Sequence, residues 1–335
     1  MIPLTARRGL VLTPLLAALA GCNTVVMNPS GDIAKQQADL ITVSVLLMLL
    51  IIVPVMILIA VFAWRYRASN TAAKYEPDWD HSTKLELVIW GAPLLIIIAL
   101  GLITWISTHK LDPYRPLDRI AVNRPIPAST KPLVVQVVAM DWKWLFIYPE
   151  QGIATVNELV TPVDVPVRFK ITATTVMNAF YVPELAGMVY AMPAMETTLN
   201  AVQNKPIVAK GLSANYSGAG FSDMIFGYRG VPQADFDKWV QSVKAGGGSL
   251  NRNDYLALEK PSIKEPVHRF GAVDADLYQA ILNRCVAPGA VCTNQQMSDD
   301  AKRAAEMASK EMPKDGKRQV AQAEICVSPT KPSKK

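Results

Sequence analysis

Two long apolar runs constrain this chain more than anything else in it. Leu40 to Trp64 is twenty-five residues without a charged side chain, enough for a tilted helix across a hydrocarbon core of ~30 Å. Pro54 lies inside it and predicts a kink, which neighbouring helices can accommodate. Leu85 to Ile106 is the second run, with Pro93 inside and Glu86 as its only charge. Trp64, Trp90 and Trp105 stand near the ends, where aromatic rings settle at membrane interfaces. The short connection between the runs carries Arg65, Arg67, Lys74 and Lys84. Basic enrichment in a short loop marks the cytoplasmic side, so both ends of the mature chain are expected outside, in a periplasm.

The N-terminus agrees with that orientation. Arg7-Arg8 precedes an apolar stretch from Gly9 to Ala20, too short to span a membrane, and then Gly21-Cys22. Leu19-Ala20-Gly21-Cys22 resembles the lipobox of bacterial lipoproteins, which implies cleavage before Cys22 and lipidation (palmitate included) of its thiol. An ordinary signal peptide containing a cysteine is the alternative. The formal net charge is +6, of which Arg7 and Arg8 would be removed, leaving 6 − 2 = +4. That excess is small and dispersed, so nucleic acid is not an expected partner. No zinc-ligand spacing, phosphate-binding glycine loop or internal repeat occurs.

After Ile106 a proline-rich linker is predicted from about His109 to Pro132, made stiff and extended by Pro113, Pro116, Pro125, Pro127 and Pro132. Strand signals follow at Leu133–Met140, at Val165–Ala173 with Val167, Phe169 and Ile171 on one face and Arg168, Lys170 and Thr172 on the other, and at Thr197–Val202. Short strands between Pro, Gly and Asn turns point to an antiparallel sandwich. Phe236, Trp239, Val240 and Val243 form one helical stripe, ended by Gly246-Gly247-Gly248. A short helix is expected near Asp299 to Lys310, in a polar tail.

Three stretches then become specific: Val138–Glu150 with Trp142 and Trp144, Val176–Pro183, and Ser213–Met224. With the two spans ahead of a sandwich, they resemble subunit II of the haem-copper respiratory oxidases, and Phe270–Asn283 is similar to a motif of its quinol-oxidase members of cytochrome bo type. The resemblance implies a two-helix transmembrane hairpin followed by an all-β, cupredoxin-like Greek-key sandwich with C-terminal helices and a mobile tail. It implies a subunit of a proton-pumping ubiquinol oxidase in the bacterial inner membrane, beside subunit I with the haems, copper and quinol site, subunit III, a small subunit IV and membrane lipid. The chain alone is expected to be inactive. In the cytochrome c oxidases of this family the sandwich holds the binuclear copper centre CuA on two cysteines, two histidines, a methionine and a carbonyl. Here Asn178 stands for the first histidine, Ser213 and Ser217 for the cysteines, Asn215 for the acidic residue between them and Phe221 for the second histidine; only Met224 remains. Copper demands thiolate and imidazole. No C-x-x-x-C exists, and beyond His109 the only histidine is His268. No metal or cofactor is expected in this chain.

Glu86, in Lys84-Leu85-Glu86-Leu87-Val88-Ile89-Trp90, matches the family segment whose glutamate lies at the mouth of the proton channel called the K-pathway. The bland alternative is a solvated acid at the membrane boundary, paired with Lys84. Trp142 and Trp144 are read as core or docking residues, and Met188, Met192 and Met195 as ordinary apolar packing. Ser213 and Ser217 have no histidine nearby to activate them. Cys285 and Cys292 are spaced for a small-loop disulfide in an oxidising compartment, with Cys326 left over and the connectivity open. The expected layout is a signal peptide over 1–21, an external segment over 22–39, helices over 40–64 and 85–106 with a cytoplasmic loop over 65–84, a linker over 107–131, the sandwich over 132–230, a helical region over 231–295 and a polar tail over 296–335. Two rival functions stay open: a cytochrome c oxidase subunit with a copper relay, and a lipoprotein scaffold with no part in respiration.

Overall fold

The structure, a computed structural model, describes residues 24–74, 76–127 and 130–311. The expected signal peptide, the lipidation site Cys22 and Cys326 lie outside the described residues. Two helices come first, α1 (Asp32–Arg65) and α2 (Thr83–Lys110), and they touch each other. Both are long and apolar enough to cross a membrane, and the most apolar stretch of each has none of its residues buried within the chain. Pro54 and Pro93 sit inside them. Such continuous apolar surface needs lipid or a partner helix against it.

Helix α1 starts eight residues before its apolar run. Those first turns rest on the sandwich: Ile33, Ala34 and Ala38 are buried, and so is Asp32, whose carboxylate takes the Arg119 Nε–H at 3.0 Å. Just ahead, the Ser30 and Gly31 amides both donate to the Glu184 carbonyl, at 2.8 and 2.9 Å. The linker does not run as a stiff extended rod. It folds into a ribbon, β1 (Arg119–Ala121) with β2 (Arg124–Pro125), turned at Asn123 with φ 62°. Asn200 Nδ2 lies 3.1–3.3 Å from the carbonyls of Pro113, Tyr114 and Arg115, which holds the linker down. Prolines fix φ, but side chains distant in sequence decide where the segment lies.

The remaining strands are β3 (Leu133–Met140), β4 (Lys143–Tyr148), β5 (Ile153–Val156), β6 (Glu158–Pro162), β7 (Pro166–Ala173), β8 (Asn178–Tyr181), β9 (Val189–Ala191), β10 (Thr197–Val202), β11 (Ile207–Ser213), β12 (Ile225–Val231), β13 (Ser249–Leu250), β14 (His268–Phe270) and β15 (Ala272–Val273). One sheet runs β10-β7-β3-β4-β5-β14 and the other β6-β12-β11-β8-β9. Most pairs are antiparallel; β3 with β7 and β6 with β12 are parallel. The expected alternation in β7 holds for Val167, Phe169 and Ile171, all buried. Thr172 departs from it: it is fully buried and its hydroxyl donates to the Met192 carbonyl.

Aromatic rings fill the core. Trp144 meets Phe180 and Phe226 edge-on at 5.6 and 5.7 Å, and those two rings stack at 5.6 Å. Tyr148 bridges the sheets, its hydroxyl donating to the Val160 carbonyl and accepting from the Val160 amide, both at 3.0 Å. Helix α3 (Gln233–Ala245) buries Phe236, Trp239, Val240 and Val243 as one stripe, with Trp239 edge-on to Tyr148 at 5.4 Å.

The sandwich does not end at residue 230. Strand β14 is an edge of the larger sheet, pairing His268 with Val156 and Phe270 with Ala154. Three residues reading His-Arg-Phe have no period to detect, and backbone pairing alone recruits them. Around it lie α4 (Arg252–Leu258), capped by the Asn251 side chain on the Asn253 and Asp254 amides, the parallel ribbon of β13 with β15, and α5 (Leu277–Leu282). Residues from Val291 form a second unit, whose described part is α6 (Thr293–Glu311), longer than the helix expected there.

Candidate functional site

The positions that matched copper ligands gather at one end of the smaller sheet. Asn178 opens β8 and Ser213 closes β11, neighbouring strands whose register pairs Ser213 with Phe180. The Ser213 hydroxyl lies 3.1 Å from Asn178 Oδ1 and 3.2 Å from the Asn215 carbonyl, and it takes the Ala179 amide at 3.4 Å. Asn178 Nδ2 donates to the Val176 carbonyl at 3.2 Å, and Asn215 Nδ2 to that of Met177 at 3.0 Å. Ser217 Oγ stands 4.0 Å from the sulfur of Met224, which is buried. Phe221 belongs to neither group; its ring meets Tyr216 edge-on at 5.6 Å. The structure thus brings together Asn178, Ser213 and Asn215, and separately Ser217 with Met224.

Trp142 closes this end from the β3–β4 hairpin. Its φ is +65°, an uncommon conformation for a bulky residue. The indole donates to the Ser217 carbonyl at 3.1 Å. A Cβ on Gly220 would come within 2.5 Å of the indole ring, so the glycine is what lets the ring lie against the loop. Trp142 is half-buried and Trp144 fully buried. Met188 and Met195 are exposed, contrary to the apolar packing expected of them: the irregular segments just before β9 and between β9 and β10 leave those side chains at the surface.

The donor set does not fit copper. Two hydroxyls and two amides are neutral, hard donors, and one thioether is a weak ligand. The hydroxyl of Ser213 and the amides of Asn178 and Asn215 are already engaged with the loop itself. Among the described residues no group of three or more His, Cys, Asp or Glu is placed to hold a metal.

Glu86 lies in the first turn of α2, where a carboxylate favours the positive end of the helix. It pairs with His81 (Nδ1 to Oε1, 2.7 Å), not with Lys84. The other ring nitrogen of His81 lies 3.2 Å from the Thr83 hydroxyl. The Glu86 side chain keeps about half its surface open, 47%. It shares a shallow groove with Trp90, Gly91 and Leu94 on one face of α2.

Some polar groups had no signal in the sequence. Glu158 accepts from Arg269 at 2.7 and 2.9 Å and from Arg229 at 2.9 Å. Burial alone would raise the Glu158 carboxyl; the hydrogen bonds and charge of Arg269, with the charge of Arg229, outweigh it and hold the group below the ordinary carboxylate range. Lys143 is buried beneath the C-terminal segment and donates to the Lys260 carbonyl at 2.8 Å and to the Ser262 hydroxyl. Burial lowers its pKa, against the nearby charges of Glu265 and Asp141. These partners lie 71 to 119 residues apart in the chain. Cys285 and Cys292 are each disulfide-bonded.

Two helices long and apolar enough to cross a membrane, ahead of a two-sheet sandwich, define the class: a membrane protein with a β domain. Comparison with known proteins makes this more particular. The family model described as the COX Aromatic Rich Motif matches residues 244–289. The cytochrome bo(3) ubiquinol oxidase subunit 2 of Pseudomonas putida is 50% identical over 266 residues, 79% of this chain and 82% of that one. That of Pseudomonas aeruginosa is 45% identical over 282 residues, 84% of this chain and 82% of that one. Among solved structures, the periplasmic domain of subunit II of cytochrome oxidase of Bradyrhizobium japonicum is similar at 22% identity with a TM-score of 0.33, over 34% of this chain and 94% of that one. The chain belongs to the cytochrome bo(3) ubiquinol oxidase subunit 2 family.

Proposed function

We propose that the chain is the subunit of a proton-pumping quinol oxidase that carries no redox centre of its own. The complex takes electrons from ubiquinol, reduces oxygen to water and adds to the proton gradient; haem and copper belong to subunit I, with subunit III and a small subunit IV as further partners. The observation that carries this reading is the donor set at the end of the smaller sheet. Asn178, Ser213, Asn215 and Ser217 occupy the copper-ligand positions with neutral donors, three of them already bonded within the loop. The sandwich is then a cupredoxin-like domain without copper. Quinol dissolves in the bilayer and delivers its electrons there, so no relay in the sandwich is required. The sandwich lies in the periplasm, Cys22 is the lipidated first residue of the mature chain, and the 65–84 loop faces the cytoplasm. From that side Glu86, half-open to water beside His81, collects protons for subunit I.

Oxygen uptake by the complex, purified through a tag on this chain, tests the reading. Uptake with ubiquinol and none with reduced cytochrome c is expected. Uptake with cytochrome c, or copper bound stoichiometrically by the sandwich, overturns it in favour of a copper relay. A gently solubilised preparation without haem would instead make the chain a scaffold outside respiration.

A further inference from the structure

The outer ends of the two spanning helices enclose a charged cavity of about 670 Å³. It is lined from α1 by Asp32 and Gln36, from the end of α2 by Lys110, and from the linker by Asp112, Arg115, Asp118, Arg119 and Arg124. Its depth follows from the helix rise. Gln36 lies four residues before the apolar run that begins at Leu40, and Lys110 four residues after the one that ends at Ile106. At 1.5 Å per residue, both stand about 6 Å outside the hydrocarbon, within the headgroup layer of a bilayer. Below the cavity lies a second, of about 470 Å³, between the helices. It is lined by Leu40, Thr104, Ser107, Thr108 and Leu111, and Asp112 lines both. A charged chamber at headgroup depth therefore adjoins a mostly apolar groove between the helices, whose lower rim, Leu40 and Thr104, lies at the edge of the hydrocarbon.

Charge narrows the ligand. Lys110, Arg115, Arg119 and Arg124 face Asp32, Asp112 and Asp118. Arg119 is held by Asp32 at 3.0 Å, Arg115 by Asp118 at 2.9 Å and Arg124 by Asp164 at 2.8 Å. Among the described residues no carboxylate pairs with the Lys110 ammonium, and the Asp112 carboxylate accepts only the Tyr114 amide, at 2.9 Å. A bare anion would face the carboxylates at close range. A headgroup bearing a phosphate and an amine meets both signs: phosphate oxygens at Lys110 and the free N–H groups of Arg115, ammonium at Asp112.

We propose that this two-part cavity binds one zwitterionic, amine-bearing glycerophospholipid, its headgroup in the charged chamber and an acyl chain in the groove between α1 and α2. The lipid joins the two helices where they meet the sandwich. The site does not depend on which side of the membrane the sandwich faces, nor on the role of Glu86 at the other end of α2.

The test uses the whole oxidase complex, partly delipidated and supplied with a phosphatidylethanolamine that carries a photoreactive group in one acyl chain. Labelling is expected on the segment from Thr104 to Leu111 or at Leu40. Lys110→Glu with Arg115→Glu should cut it about tenfold, as for the loss of one or two charge-assisted contacts, with haem content unchanged. Should that variant fail to assemble, Thr104→Trp, which fills the groove, should cut labelling equally. Excess unlabelled phosphatidylethanolamine should compete, and phosphatidylglycerol or inorganic phosphate should compete poorly. Full competition by inorganic phosphate would make the chamber a simple anion site. Equal competition by phosphatidylglycerol would remove the amine from the assignment. Absence of labelling in the wild-type complex would mean that another subunit covers the groove. Any of these three results overturns the proposal.

Discussion

Glu158 shows how a single residue can hold three segments. It stands at the start of β6, and its carboxylate joins Arg229 of β12 to Arg269 of the late edge strand β14. Glu158→Ala should destabilise the sandwich by about 1–3 kcal/mol in chemical denaturation. That is below the ~3–5 kcal/mol of breaking a fully buried pair, because both arginines can turn to water. The pH sign follows from the shift. The folded-state carboxyl is held below its ordinary 4.5, so its contribution is complete above that value and is lost as pH falls through the lower folded value. The wild type should lose stability on acidification below about pH 4.5 more steeply than the variant. A Tyr148→Phe exchange makes a cleaner comparison. It removes one oxygen and leaves the buried Val160 amide and carbonyl without the Tyr148 hydroxyl. A loss of about 1–3 kcal/mol is expected from the denaturation midpoint; an unchanged midpoint would mean that the hydroxyl is no clasp between the sheets.

Among the elements, α1 matters most, because it belongs both to the membrane and to the sandwich. The attachment depends on close backbone approach at Gly31, where a Cβ would lie 2.3 Å from the Leu185 carbonyl oxygen and 2.8 Å from that of Val202. Those neighbours are backbone and cannot swing aside. Gly31→Ala should loosen the junction at a cost of about 1–3 kcal/mol. Hydrogen exchange reads this directly: the Ser30 and Gly31 amides, both bonded to Glu184, should exchange faster while β3 and β4 stay protected. Unchanged protection would show that α1 is held by other contacts. At this scale much was legible. The stripe of α3 and the alternation of β7 appear in the sequence because one face of each is buried against a common core. The early start of α1 was not legible, since Asp32 to Asp39 reads as a polar segment and is helical while lying on a β domain. Strand β14 was not legible either, for want of any side-chain period.

For the whole molecule, the prediction concerns protons. Glu86→Gln keeps the side chain's shape and removes its charge. In the assembled oxidase it should slow oxygen uptake from quinol severalfold with haem content and assembly intact; normal turnover would leave Glu86 as the solvated boundary acid that the sequence also allows. Membership of the quinol-oxidase family was readable because it rests on residue identities in a few short stretches, and identities need no coordinates. The two spans were readable for a similar reason: twenty or so apolar residues in a row have one low-energy environment. What only the tertiary structure decided is how the polar groups are used. Asn178 and Ser213, thirty-five residues apart, could be known to be poor copper ligands, but not that they bond to each other. Nothing local marks Glu158 and Arg269, 111 residues apart, as partners. Hydrophobic pattern is a property of neighbours along the chain and survives in the sequence. Ion pairs, the lipid-depth cavity and the closing of the loop by Trp142 depend on which distant segments the folded sheets bring within 3 Å, and that is set only when the chain is folded.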